Sequence, residues 1–330
     1  MDYLSVNNFL KEDMEEVKKE LYSNLDSDVE LVNEVAGYVL DSGGKRLRPM
    51  AIILSAGLSG YKGERSAKLG CIVEYIHTAT LLHDDIIDGA IVRRGNTSAN
   101  VKYGSDITVL CGDFLYSKAF INLVKDGNPE IQMILAKAAN TMSEGEVFQL
   151  VKTADYNLNM EDYIKIIFSK TAVLFSSCCE IGAVLGGNNT TVKKKLKEFG
   201  KLVGLAFQMN DDILDFLGDQ NITGKSTGTD FKEGKMTLPM IMLRENASKE
   251  ENKIFKELIT DSNFTLDKLE NIIVLMQKYD IKTKALNYVF EYVNKAKSIL
   301  NSINIQHNFD NSNYKKYLEY IAEYSVTRKK

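Results

Sequence analysis

Residues Cys71–Gly95, CIVEYIHTATLLHDDIIDGAIVRRG, decide how the rest of the chain is read. They begin as a nearly unbroken apolar helix and end in three carboxylates, Asp84, Asp85 and Asp88, with Arg93 and Arg94 close behind. Two unit charges about 6 Å apart repel by about 3 kcal/mol at an effective dielectric of about 20. An apolar rod that ends in such a knot of charge persists when cations offset it, so the stretch predicts a metal site.

A second stretch has the same build. Residues 192–217 predict a helix that is polar at first, apolar nearly all round by Leu202–Met209, and closed by Asp211, Asp212 and Asp215. In both clusters the spacing is i, i+1, i+4. On a helix i and i+4 share a face and i+1 lies about 100° round. Asp84 with Asp88, and Asp211 with Asp215, are therefore the predicted metal ligands, with Asp85 and Asp212 in support. Hard carboxylate oxygens suit Mg²⁺, which keeps waters and shares phosphate oxygens with a substrate. A structural calcium site of the EF-hand kind needs a D-x-D-x-D-G pattern that neither cluster has. Zinc is disfavoured, because His83 has no second His or Cys at ligand spacing.

Outward from these two helices the pattern stays helical. With only Pro49, Pro129 and Pro239 in 330 residues, little breaks a helix interior. Residues 8–40 show helical spacing, with Leu10, Met14, Val17, Leu21 and Leu25 on one core stripe, stopped by Asp41-Ser42-Gly43-Gly44. Apolar segments follow over 45–59, around Leu110–Phe120, over 131–151 and over 162–185, separated by turns such as Lys125–Pro129 and Gly186–Asn189. The last eighty residues read as Lys/Asn-rich amphipathic helices. Strand and hairpin signals are missing almost everywhere. The expectation is one all-α domain over 1–330, with 66–88 and 192–217 surrounded by other helices.

Composition narrows the class. Forty-one basic against 45 acidic residues leave a net charge of −4, which excludes a general nucleic-acid binder. Cys71, Cys111, Cys178 and Cys179 show no C-x-x-C spacing and read as reduced core residues. The polar start MDYLSVNNFLKEDMEE predicts no secretory signal, and the greasiest stretch, Thr171–Gly186, contains Glu180. A cytoplasmic protein that is not integral to a membrane is the expectation.

Basic groups complement the acids: Lys45, Arg46 and Arg48, then Arg93 and Arg94, Lys170 before Thr171, and Lys225 and Lys235. Each alone is an ordinary surface residue. As a set abutting apolar helices they predict more than one phosphate-bearing ligand, one held through metal and another held directly by Lys and Arg. His77, two turns before Asp84, is a candidate for the second site.

The motifs GGKRLRP (Gly43–Pro49), LLHDDIIDGAIVRRG (Leu81–Gly95), GDFL (Gly112–Leu115), KTA (Lys170–Ala172), FQMNDDILDFLGD (Phe207–Asp219) and GKSTGTDFKEGKMTLP (Gly224–Pro239) together resemble the trans-polyprenyl diphosphate synthases. They span roughly residues 40–240 in family order. The resemblance implies an isoprenoid synthase fold, a helix bundle with both aspartate motifs facing a deep central cavity. It also implies a reaction. An allylic diphosphate ionises as Mg²⁺, three ions per site, stabilises the departing diphosphate, isopentenyl diphosphate attacks the cation, and a proton is lost. By family matching Asp84, Asp88 and Asp211 would ligate metal, with Asp85, Asp212 and Asp215 supporting. Lys45, Arg48, His77 and Arg94 would hold isopentenyl diphosphate. Arg93, Lys170, Gln208, Lys225 and Lys235 would contact the allylic diphosphate, and Thr171 and Gln208 would face the developing cation. Gln149 matches a family glutamine in a supporting place.

Ala79 and Thr80, one turn before Asp84, bear on product length. Short-chain members carry bulky aromatic residues near these positions, so small ones imply an open pocket and a product of about six to eight isoprene units, of the kind used as quinone side chains. A farnesyl- or geranylgeranyl-type product is the alternative. A class I terpene cyclase would carry N-D-x-x-S/T-x-x-x-E where this chain reads NDDILDFLGD, and a regulatory subunit would commonly lose one aspartate motif, whereas both are intact. The implied primer is farnesyl or geranylgeranyl diphosphate. A homodimer is the default, with a small unlike subunit as the other possibility.

Overall fold

Each of the three prolines falls in the first turn of a helix, where its missing N–H costs nothing. The backbone is accordingly almost all helix. The structure, a computed structural model, describes residues 2–187, 189–217, 228–260, 265–304 and 311–328. Among these residues the one strand pairing is a two-residue antiparallel ladder, β1 (Val92–Arg93) with β2 (Asn96–Thr97). By their internal contacts the residues divide into two units, each assembled from three segments. The first is Met1–Ala139, Ser177–Lys197 and Ile303–Tyr320; the second is Asn140–Ser176, Glu198–Ser302 and Ile321–Lys330.

The first unit opens with α1 (Tyr3–Phe9), α2 (Lys11–Ser23), α3 (Glu30–Asp41) and α4 (Leu47–Leu58). The helical spacing over 8–40 is therefore carried by more than one helix. The break at 24–29 is built from side chains that bond the backbone locally: Ser27 Oγ accepts from the Val29 N–H, and Asn33 donates to the Ser27 carbonyl. The stripe survives the break, with Leu10, Val17, Leu21 and Leu25 all buried.

At the centre of this unit is α5 (Arg65–Ile87), packed by α2, by α4 and by α7 (Ser105–Asp126). Its buried residues run right round the helix, including Leu69, Ile72, Val73, Tyr75, Ile76, Ala79 and Leu82. A side chain on Gly112 of α7 would meet the His83 ring at 2.2 Å, so glycine there lets α5 and α7 close up. Between them lie the β1–β2 hairpin and α6 (Ala99–Tyr103).

Later elements are α8 (Pro129–Val151), α9 (Met160–Ile167), a π-helical turn over Phe168–Ala172, α10 (Val173–Leu185) and α11 (Thr190–Leu217). They are followed by α12 (Thr229–Lys232), α13 (Leu238–Asn246), α14 (Lys249–Thr260), α15 (Leu266–Lys278), α16 (Ile281–Asn301) and α17 (Ser312–Thr327). In the second unit α13 packs on α9, α15 and α16. Helical spacing over 162–185 is observed with the π turn interrupting it. By length and composition Ser105–Asp126 and Met160–Leu185 could each cross a membrane; the latter is 83% buried in protein and the former 33%.

Candidate active site

In the first unit α5 ends where its sequence turns acidic. Asp84 and Asp85 are buried, and Asp88 is the half-buried residue that caps the helix. Arg93 pairs with Asp85, its Nε donating to Oδ1 at 2.6 Å. The hairpin that carries Arg93 is pinned to the helix end. Asn100 donates to the carbonyls of Asp85 and Ala90, Ser98 donates to Ala90, and Tyr38 donates to Thr97. One member of the first motif is thus charge-compensated by an arginine eight residues further along its own chain.

Near the middle of α5 is a cationic cluster. Arg94 donates to the Gly43 carbonyl, which ties the hairpin to the Gly43–Arg46 loop. Arg46 and Arg94 both have left-handed backbones, with φ of 47° and 52°, a strained state for non-glycine residues that clusters at functional sites. Burial, and then the guanidinium groups of Arg48, Arg94 and Arg93, push the His77 imidazole well below its ordinary range, so it is neutral at pH 7. Facing the same arginines is Glu74, whose charged form is disfavoured by burial and favoured by Arg48, Arg46 and Arg94. Sequence reading did not single out Glu74, since one acid inside an apolar run carries no pattern. Lys45 is exposed, and its carbonyl accepts from Tyr3. Ala79 is fully buried, while the Thr80 hydroxyl donates back to the His77 carbonyl at 2.8 Å.

In the second unit Lys170 and Thr171 stand on the π turn. Glycines on both flanks bring other helices close. A side chain on Gly145 of α8 would meet Ser169 Cβ at 2.2 Å, and one on Gly204 of α11 would meet the Ala172 backbone at 2.5 Å. That proximity lets Lys170 pair with Glu146 at 3.0 Å and lets Thr171 donate to Gln208 at 2.7 Å. A π turn among helices is often a functional irregularity, and this one holds all three residues of the KTA motif. A cavity in this unit is lined by Gln149, Lys170, Gln208, Asp212 and Lys235, all predicted from sequence, together with Tyr163 and Asp230, which were not. Lys225 and Asp219 lie outside the described residues.

The second acidic helix end is differently held. Arg328 pairs with Asp211 at 2.5 Å and lies over the Phe207 ring, 3.5 Å from its centre. Asp212 is buried and accepts from Tyr163 at 2.6 Å and from Gln208 at 2.9 Å. Asp215 accepts from the Thr229 and Asp230 N–H groups that open α12, one backbone donor to each carboxylate oxygen. Burial, and then nearby carboxylates, push both Asp212 and Asp230 above the ordinary carboxyl range. Asp230 stands within the GTDF part of a quoted motif, but a single acid in a loop gave no spacing to read.

These donors fit Mg²⁺. Asp211, Asp212, Asp215 and Asp230 crowd one helix end, with Arg328 and Lys235 as their cationic neighbours. Among the described residues no three His, Cys, Asp or Glu side chains converge as a ready-made metal cage. Carboxylate oxygens are the donor type that a hydrated divalent cation sharing diphosphate oxygens takes.

The "Polyprenyl synthetase" family description matches residues 29–276. The octaprenyl diphosphate synthase of Escherichia coli (strain K12) is 36% identical over 263 residues, covering 80% of this chain and 81% of that protein. The heptaprenyl diphosphate synthase component 2 of Geobacillus stearothermophilus is 34% identical over 241 residues, covering 73% and 75%. A polyprenyl synthase from Caulobacter crescentus CB15, crystallised with calcium and isoprenyl diphosphate, superposes with a TM-score of 0.93 at 34% identity, covering 100% of this chain and 98% of that one. The all-α scaffold, the acidic ends of two helices and the cations set beside them carry the same conclusion: this chain belongs to the polyprenyl synthetase family.

Proposed function

We propose that this prenyltransferase condenses an allylic prenyl diphosphate with successive isopentenyl diphosphates in the cytoplasm. The product is an all-trans polyprenyl diphosphate of about six to eight isoprene units, suited to a quinone side chain. The observation that carries the reading is the cation cluster around His77, formed beside Asp84 but distinct from it. One diphosphate needs metal-bound carboxylates, and a second needs guanidinium groups that grip it directly. An enzyme with a single diphosphate substrate has no use for both.

Asp84 and Asp88 on α5, and Asp211 on α11 with Asp212 and Asp215 in support, would hold Mg²⁺. When bound, Mg²⁺ supplies the positive charge that stabilises a departing diphosphate. Arg48, Arg94 and Lys45 would orient isopentenyl diphosphate, with neutral His77 as a hydrogen-bonding partner that adds no charge. Lys170, Lys225, Lys235 and Arg93 would position the allylic diphosphate. Thr171 and Gln208 would present oxygens to the developing cation. Small Ala79 and Thr80 would let the growing tail pass.

The exposed apolar face of α7, with Val109, Leu110, Phe120, Ile121 and Val124, supports a homodimer that covers it. The relationship to a protein described as component 2 keeps a small unlike subunit as the second reading. Light scattering on the purified chain separates them: a dimer active by itself supports the first, and an inactive chain rescued by an added extract supports the second.

Incubation with Mg²⁺, farnesyl diphosphate and labelled isopentenyl diphosphate, followed by product sizing, tests the activity. Turnover without isopentenyl diphosphate, or products that stop at about fifteen or twenty carbons, would overturn the reading. Ala79→Phe and Thr80→Phe are expected to shorten the product.

A further inference from the structure

The hydrogen bonds at the π turn form one unbroken chain: Thr171 Oγ1 to Gln208 Oε1, Gln208 Nε2 to Asp212 Oδ1, and Tyr163 Oη to Asp212 Oδ2. Every link has a fixed sense. An amide nitrogen only donates, and both Asp212 oxygens accept here, one from Gln208 and the other from Tyr163, so Asp212 decides which end of the Gln208 amide faces it. The Gln208 oxygen is thereby turned to Thr171 and accepts its hydroxyl proton. What Thr171 can then offer in any other direction is oxygen lone pairs.

Tyr163 closes this chain at its far end. Its side chain is 2% exposed, on α9, in the same π-interrupted helix as Thr171. With Tyr163 on one oxygen and Gln208 on the other, Asp212 serves as an anchor within the protein.

We propose that Tyr163 is a positioning residue for prenyl transfer: by holding Asp212 it fixes the polarity of Gln208 and, through it, of Thr171. The sense of that polarity matters to the reaction. Oxygen lone pairs lower the energy of a nearby carbocation, whereas a donor N–H or O–H raises it. Without the Tyr163 bond the Asp212 carboxylate is free to swing away from Gln208, and the amide, no longer held by its nitrogen, can turn over. Thr171 would then accept from Gln208 and point its own proton away, toward the region where positive charge develops. The ground state would still bind substrate, but the transition state would meet the wrong end of two dipoles.

The inference rests on the prenyl-transfer reading, and the experiment separates the two. Purified chain, Tyr163→Phe, Gln208→Ala and the double variant are assayed with farnesyl diphosphate, isopentenyl diphosphate and Mg²⁺, and melting temperatures are recorded alongside. Tyr163→Phe is expected to lower kcat about ten-fold with the KM for isopentenyl diphosphate within about two-fold of wild type. In the Gln208→Ala background the same change is expected to lower kcat by less than about two-fold, because the link it acts through is already gone. Replacement of Tyr163 by para-aminophenylalanine keeps both ring and donor, and is expected to restore most of the kcat even where Phe lowers the melting temperature. An unchanged kcat in Tyr163→Phe, an equal loss in both backgrounds, or no recovery with the amine overturns the inference. Absence of turnover in the wild-type chain overturns the prenyl-transfer reading itself, and this inference with it.

Discussion

The acidic ends of α5 and α11 share a sequence pattern and solve their charge problem differently. At Asp84–Asp88 the compensation is local. Arg93, eight residues beyond Asp85, sits on that carboxylate, and the hairpin carrying it is pinned by Ser98 and Asn100. At Asp211–Asp215 the compensation comes from far along the chain, from Arg328, while Tyr163 and the α12 backbone occupy Asp212 and Asp215. The second end also gathers an additional acid, Asp230, and there two carboxyls are pushed toward their neutral forms. One motif is a prepared grip, the other a surplus of negative charge that a cation would relieve. Identical spacing therefore does not mean identical electrostatics, because counter-charges are supplied by the fold around each motif.

The comparison breaks most visibly if either end proves dispensable. Asp84→Asn and Asp211→Asn are each expected to lower kcat by about a thousand-fold in the prenyl-transfer assay, with thermal unfolding little changed. A variant that keeps near-normal kcat would remove that helix end from the chemistry. Next in size is Gly204→Ala, whose methyl group would lie 2.5 Å from the Ala172 backbone. Forcing α11 away from the π turn should cost about 1–3 kcal/mol in denaturant unfolding and separate Thr171 from Gln208. Because the first motif has no such dependence on the π turn, Mg²⁺-induced stabilisation through Asp84 and Asp88 should persist in this variant.

Arg328→Gln sharpens the contrast further. Removing the cation beside Asp211 increases the negative surplus, so Mg²⁺ titrated against melting temperature should bind about three-fold more tightly. Arg93→Gln should raise the apparent affinity less, since Asp85 is only one member of its motif. The smallest expected effect concerns pH. His77 has a folded pKa below its unfolded value of about 6.5, because burial and Arg48, Arg94 and Arg93 oppose its charge. The folded chain then binds fewer protons than the unfolded chain as pH falls below about 6.5, so this contribution is complete above that pH and is lost on acidification. Relative to His77→Gln, the wild type should lose up to about 1 kcal/mol between pH 6.5 and 5.5, read by urea unfolding at each pH.

Much of the molecule was legible beforehand. The apolar period of 66–88 and 192–217 foretold helices buried all round, and α5 and α11 match those spans within a few residues. The motif residues Gln149, Lys170, Gln208, Asp212 and Lys235 do line one cavity. Less visible were the break at 24–29, where Ser and Asn side chains bond the backbone and interrupt a continuous apolar stripe, and the π turn. A π turn leaves hydrophobic periodicity nearly intact and is stabilised by what packs against it, here at Gly145 and Gly204. Tyr163, Glu74 and Asp230 were missed for one common reason: each is a single residue whose meaning depends on its neighbours in space.

By itself, then, the sequence determined the fold class, the two acidic helix ends and the cation-bearing motifs. Periodicity, proline content and i, i+4 spacing are properties of one helix at a time, and a reader can count them. Only the tertiary structure decided what each carboxylate touches. Asp85 found Arg93 eight residues away, but Asp212 found a tyrosine 49 residues earlier in the chain. A hydrogen bond is made or lost within about 3 Å, and which distant groups come that close is settled by how helices pack, not by any spacing along the chain.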